Sequence, residues 1–304
     1  ILKSSQPASE IINAYTRNHR YIGSKDRHRL QDLVWTTLKS LPTPFWLKEY
    51  IPEAELQAMQ QTAPTVLRAN GDRLQIQKIL LEQGIETTLT PLSPLGLILK
   101  KRVNLQTIPA YRQGLIEVQD EGSQLIALAT HIEPNTTVLD YCAGAGGKSL
   151  CLAQMMRNKG QIIAHDVSKI SLKELTKRAA RANATIIRTT FNPTGFFQHV
   201  IVDAPCSGSG TWRRAADARL KCTELFLKKL IKKQQQILEN ASHFVQMNGY
   251  LHYMTCSLIP LENQKQMQLF LKKHSQFRLI HHQQWSPVKT NTDGFFLATF
   301  QRLA

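Results

Sequence analysis

Nowhere in these 304 residues does an apolar run approach the roughly 20 residues that a membrane span needs. The opening segment, Ile1-Leu-Lys-Ser-Ser-Gln, has no signal-peptide core. A cytoplasmic protein with no membrane partner is therefore expected. Cysteine is sparse: five residues, an odd number without any C-x-x-C pair, which fits neither a disulfide scaffold nor a zinc ribbon. Reduced thiols and no bound metal are expected. Acidic side chains are short too, 22 Asp+Glu against 38 Lys+Arg, leaving a formal net charge of +16. That imbalance favours a polyanion, because phosphate contacts gain affinity through counterion release. Nucleic acid is preferred to an anionic membrane, since no stretch joins a strongly apolar face to a basic one. Internal repeats and low-complexity tracts are absent as well.

What is present is a hydrophobic share of 42%, ample for a large core. Residues 1–63 read as a helical extension, with Ile11, Ile12 and Tyr15, then Leu30, Leu33, Val34, Thr37 and Leu38 recurring at helical spacing. Within it Arg17, Arg20, Lys25, Arg27 and Arg29 interleave with Tyr15 and Tyr21, a pattern that suits RNA or an ordinary solvated face. Residues 64–116 read as a small α+β domain: a strand near Thr65, a helix from Leu74 to Gln83 stopped by Gly84, and a strand pair at 85–89 and 96–100. Residues 117–304 alternate apolar strands with helices, which implies a mostly parallel, doubly wound sheet.

In that last region Thr137-Val-Leu-Asp140 runs into Tyr-Cys142-Ala143-Gly144-Ala145-Gly146-Gly147-Lys148-Ser149, a glycine turn between a strand and a helix. Glycine there lets backbone approach a ligand and leaves helix amides free for an anion. A phosphate-binding P-loop would need glycine where Cys142 stands, and the dinucleotide fingerprint G-x-G-x-x-G is missing. The next strand ends in Asp166, placed to accept from both hydroxyls of a ribose. An adenosyl ligand without a pyrophosphate is the expectation, which points to S-adenosylmethionine rather than NAD. The plainer reading makes the turn merely tight and Asp166 a helix N-cap.

Two cysteines follow apolar strand-like runs, Cys206 in His199-Val-Ile-Val-Asp203-Ala-Pro-Cys206-Ser-Gly and Cys256 in Tyr250-Leu-His-Tyr-Met-Thr-Cys256-Ser257. Strand ends are where open α/β sheets hold ligands, so thiols there suggest covalent catalysis. Carbon 5 of a pyrimidine is a poor nucleophile. A thiolate adding at carbon 6 turns the ring into an enamine that can attack an electrophilic methyl group, after which a base must remove the C5 proton. Hydroxyls on both sides of Cys256 would give its thiolate polar surroundings, and Asp203, sharing a proton with the ring as charge develops, is placed to hydrogen-bond ring N3 and the exocyclic amine.

The motifs Asp203-Ala-Pro-Cys206-Ser-Gly, Thr255-Cys256-Ser257 and Asp140-Tyr-Cys-Ala-Gly-Ala-Gly-Gly-Lys148 together resemble the RNA cytosine-C5 methyltransferases of the RsmB/NOP/Sun family. The segments Gly114–Gln124, Trp212-Arg213-Arg214 and Asp293-Gly-Phe-Phe296 extend the likeness. It implies a Rossmann-like class I S-adenosylmethionine-dependent domain over 117–304, an RRM-like domain over 64–116 and a NusB-like extension before it. It further implies Cys256 as nucleophile, Cys206 as the thiol that aids proton removal and release, and Asp203 in contact with base and cofactor. Residues Cys142 to Lys148 would line the cofactor and Asp166 would take its ribose. Relatives usually carry an acid after the third strand to meet the adenine; here Asn192 stands nearest that place, and its carbonyl accepts without charge assistance. The implied partner is RNA, by family habit ribosomal RNA, bound by a monomer. The other reading is a non-catalytic RNA-binding or ribosome-assembly factor on the same fold.

Overall fold

The computed structural model describes residues 4, 6–19 and 21–303. Most of the opening segment and Arg20 of the basic-aromatic pattern lie outside the described residues. The described residues up to 60 form the helices Ala8–Asn18, Ser24–Ser40 and Glu53–Ala58, with a short 3-10 turn at Phe45–Glu49. Leu38 of the second helix and Ala8 of the first pack on Ala216, while Leu47, Ile51 and Leu56 pack on Trp212 and Leu258.

Four short strands, β1 (Val66–Ala69), β2 (Thr87–Leu89), β3 (Gly96–Leu99) and β4 (Ile116–Val118), form an antiparallel sheet in the order β2-β3-β1-β4. The helix Arg73–Glu82, capped by the Asp72 side chain on Gln75 N, buries Ile76 and Leu80 against it. This sheet is tied to the rest of the chain by buried charge. Glu117 on β4, only 2% exposed, receives Arg178 at 3.0 Å and Arg181, and the fully buried Arg68 on β1 donates to Gln154 on the helix Gly147–Met155.

The main sheet has seven strands: β5 (Thr136–Asp140), β6 (Gly160–His165), β7 (Ile187–Thr190), β8 (Phe197–Asp203), β9 (Val245–Thr255), β10 (Phe277–Trp285) and β11 (Phe295–Arg302). Their order is β10-β11-β9-β8-β5-β6-β7. The first five run parallel, and β11 and β10 close one side antiparallel. Apolar runs on the central strands follow from burial on both faces. On β8, Ile201 joins the core of Leu150, Met254 and Leu297, and its neighbours Val200 and Val202 join the core of Leu251, Tyr253 and Phe300 on the other face. The helix Glu224–Ser242 buries Leu227, Leu230, Gln234, Leu238 and Ala241. Its lysines Lys228, Lys229, Lys232 and Lys233 are left exposed. The reversal of strand order between β5 and β8 opens a crevice at the carboxyl ends of the strands, where such sheets bind ligands.

A histidine chain crosses this sheet. His199 Nδ1 on β8 meets His252 Nε2 on β9 at 3.0 Å, and His252 Nδ1 meets Thr299 Oγ1 on β11 at 3.0 Å. Burial lowers His199 to about 4 from 6.5 and drives His252 down as well. Between those values the unfolded chain binds more protons than the folded one, so the stability His199 contributes is present above pH 6.5 and lost as pH falls towards 4. Unfolding free energies measured for the wild type and a His199→Gln variant should therefore converge or cross by about 3 kcal/mol as pH drops across that window. Parallel pH profiles would show that His199 does not titrate in this way.

Candidate active site

Adjacent pairing of β8 with β9, Asp203 opposite Met254, puts the ends of both strands side by side. Each strand is followed at once by a cysteine loop. The result is a pair of half-buried thiols, Cys206 Sγ and Cys256 Sγ, 3.4 Å apart. The contact with Cys256, reinforced by burial, holds the Cys206 thiol well above its ordinary range. The loops are fixed by backbone too. Gly210 N donates to the Cys256 carbonyl at 2.9 Å, and Gly294 N donates to the Gly210 carbonyl at 2.7 Å. A Cβ on Gly210 would lie 2.1 Å from the Gly294 oxygen, so only glycine permits this approach.

The third expected catalytic residue is beside them. Asp203 Oδ2 accepts from Lys148 Nζ at 2.9 Å. Lys148 is 8% exposed, which rules out a helix-surface lysine. Burial works against its charge, but Asp203 more than offsets that and keeps Lys148 above its usual value. The pair leaves Asp203, the more open partner, with one oxygen for another donor.

On the far side of β5 lies the glycine turn. Gly144 and Gly146 adopt left-handed backbone, φ +53° and +85°, and the helix Gly147–Met155 starts directly after. No atom lies within 4 Å of where a Cβ would stand on Gly144 or Gly147, so the turn borders open space. Asp166 is joined to it: Oδ2 accepts from Gly144 N at 2.9 Å and Oδ1 from Ser168 N at 2.8 Å. The N-cap of the following helix is Ser168, not Asp166. Asp140 is fully buried, takes Ser149 Oγ at 2.6 Å on one oxygen and leaves the other unpartnered. Burial lifts its carboxyl to about 7. An orphaned acid, a cradle free of side chains and a fixed carboxylate suit an adenosyl ligand bearing an ammonium group.

Cys206, Cys256, Asp203 and Lys148 thus meet in one place, and the glycine turn and Asp166 in an adjoining one. Asn192 follows β7, next to β6 in the sheet, but is exposed on its loop and bonds only through its backbone to Thr190. Cys142 is raised far above a reactive thiol by burial and the neighbouring carboxylates, which leaves it inert. Cys151 is fully buried in the core, and Cys222, pushed up to about 12 by burial, sits between two helices. One reading of the sequence needs correcting. The hydroxyls flanking Cys256 do not solvate a thiolate, because Thr255 Oγ1 donates to Asn263 at 2.6 Å and Ser257 Oγ to Glu262 at 2.6 Å, all fully buried. Glu262 itself went unnoticed, since nothing local marks an acid after Pro260-Leu261 as part of a site.

Residues 126–301 match the family described as 16S rRNA methyltransferase RsmB/F. The chain belongs to that family. S-adenosylmethionine is accordingly its cofactor, and it is an rRNA methyltransferase. A curated relative from Synechocystis sp., named as a probable ribosomal RNA small subunit methyltransferase B, is 28% identical over 97% of this chain and 74% of its own length. The ribosomal RNA small subunit methyltransferase B of Pseudomonas syringae is 27% identical over 98% of this chain and 73% of its own. Among solved structures, the crystal structure of PH0851 superposes with a TM-score of 0.81 at 28% identity, covering 90% of this chain and 68% of that one. NSun6 from Pyrococcus horikoshii with SFG shares the fold, TM-score 0.77 at 17% identity over 85% of this chain and 97% of that one. Among the described residues no helix is long and apolar enough to cross a membrane.

Proposed function

We propose that this RsmB/F-family enzyme methylates carbon 5 of a cytosine in small-subunit ribosomal RNA by covalent catalysis. The observation that carries the reading is the 3.4 Å pair of thiols at the ends of adjacent strands, with Asp203 one strand end away from the glycine turn. Cys256 Sγ adds to C6 of a base flipped out of its stack, and the free oxygen of Asp203 accepts from the exocyclic amine and from N3–H once N3 takes a proton as charge develops on the ring. Lys148 keeps Asp203 oriented and offsets its charge. Residues Cys142 to Lys148 line the cofactor, Asp166 takes its ribose, and the unpaired oxygen of Asp140 suits its ammonium group. S-adenosylmethionine held there would supply an electrophilic methyl group: C5 would take it as the sulfonium carbon–sulfur bond breaks and S-adenosylhomocysteine leaves. The C5 proton then passes to Cys206 as the Cys206 thiol proton passes to the departing Cys256 sulfur 3.4 Å away, which restores the C5–C6 double bond and frees the enzyme. Asn192 is assigned to the adenine end. The same reading takes residues 1–63 and 64–116 as helical and RRM-like RNA-gripping parts, 117–304 as the catalytic domain, and the working form as a monomer.

A Cys206→Ala variant expressed in bacteria tests this directly. Release should stall, so protein isolated under denaturing conditions should carry covalently bound rRNA, and the adduct should vanish when Cys256 is also changed. Absence of an adduct, together with wild-type protein that methylates no cytosine, would overturn the cytosine reading.

A further inference from the structure

Between the Cys256 loop and the helix Gln264–Lys273 lies Glu262, with no solvent exposure. Its carboxylate accepts four hydrogen bonds: from Ser207 N at 2.8 Å, Ser207 Oγ at 2.5 Å, Ser257 Oγ at 2.6 Å and Gln234 Nε2 at 3.0 Å. Its own carbonyl takes the Tyr253 hydroxyl at 2.6 Å. Ser207 directly follows Cys206 and Ser257 directly follows Cys256. One side chain therefore fastens both cysteine loops at the residue next to each thiol. Ser209 Oγ, 2.9 Å from Ser257 Oγ and 2.8 Å from Leu258 N, extends the same network.

A buried carboxylate is costly unless its lone pairs are filled, and here every partner is a donor. Packing alone needs no charge at this point, so the arrangement calls for a role. We propose that Glu262 is a positioning residue for methyl transfer: by bridging Ser207 and Ser257 it fixes the separation of Cys206 and Cys256, so that attack and release are served by two thiols in constant register. The reaction sense of this inference rests on the cysteine chemistry proposed above. The spacing sense does not, since it concerns only the protein. Glu262 also adds its charge to the surroundings that keep Cys206 protonated, after the contact with Cys256 and burial.

The two senses are separable by experiment on the full chain. Diamide oxidises neighbouring thiols: the two sulfurs join, and the two hydrogens reduce diamide to its hydrazine. The rate at which a Cys206–Cys256 linked peptide appears by mass spectrometry reads their approach without any methyl transfer. Glu262→Asp keeps the charge but falls one methylene short of bridging both serines. It should slow this cross-link on the order of tenfold and lower kcat roughly a hundredfold, with KM for RNA nearly unchanged. Glu262→Gln keeps the reach, because the serine hydroxyls can turn to accept from its amide, and should restore most of both rates. Thermal unfolding confirms that each variant is folded. Aspartate cross-linking at the wild-type rate, or glutamine as slow as aspartate, would overturn the bridge. Normal cross-linking ratios in an enzyme that leaves cytosine C5 unmethylated would instead defeat the cytosine reading and leave the spacing role standing.

Discussion

Methyl transfer to rRNA should fall by at least about a thousandfold in a Cys256→Ala variant, down to background, with the fold intact. The side chain is half-buried and only borders the main core, and its backbone carbonyl, which takes Gly210 N at 2.9 Å, is untouched by the change. Truncation removes one sulfur beside Cys206, so the cost to stability should stay within about 1 kcal/mol. The two effects therefore separate, which is what a nucleophile predicts and a packing residue does not. Labelled methyl groups from S-adenosylmethionine, counted on small-subunit rRNA, together with a thermal melt, provide the check. Residual activity near wild type would remove Cys256 from the nucleophile's role. The contrast with Cys206→Ala is equally informative: that variant should make the first bond and fail to break it.

How much of this was legible beforehand depended on range. The parallel strands were readable because burial on both faces writes itself as unbroken apolar runs such as Val200-Ile201-Val202. The glycine turn and both cysteine motifs announced themselves through local residue types, and adjacent pairing of β8 and β9 then brought the thiols together. The Lys148–Asp203 pair could not be read, since 55 positions separate its members. The same holds for Arg68, which looks like a solvated strand residue and is fully buried. Thr255 and Ser257 misled for a related reason. A hydroxyl beside a cysteine suggests solvation of the thiol, whereas the partners that claim these two, Asn263 and Glu262, are invisible until the chain folds.

The outer likeness to the family, scattered over Gly114–Gln124, Trp212–Arg214 and Asp293–Phe296, has one physical origin. Asp293, 1% exposed, accepts from Arg213 and, at 2.5 Å, from Arg214 Nε. Its backbone N–H donates to Asp120 Oδ2 at 3.0 Å, while Asp120 Oδ1 takes Arg214 at 2.5 Å. Two acids and two guanidinium groups cancel in charge and join three distant segments. Asp293→Ala should leave both arginines short of a partner in a largely dry place, at a cost of about 3–5 kcal/mol, and lower the melting temperature by roughly 10 °C. The loss should reach the thiols as well. Gly294 follows Asp293, its N–H holds the Gly210 carbonyl, and Gly210 N–H holds that of Cys256, so slack at Asp293 loosens the nucleophile's loop. Melts of Asp293→Ala and the milder Asp293→Asn, paired with the Cys206–Cys256 cross-linking rate in each, would measure both effects. A melting shift of only a degree or two would mean that the cluster is tolerated rather than stabilising, and an unchanged cross-linking rate in a destabilised protein would sever the link to the active site.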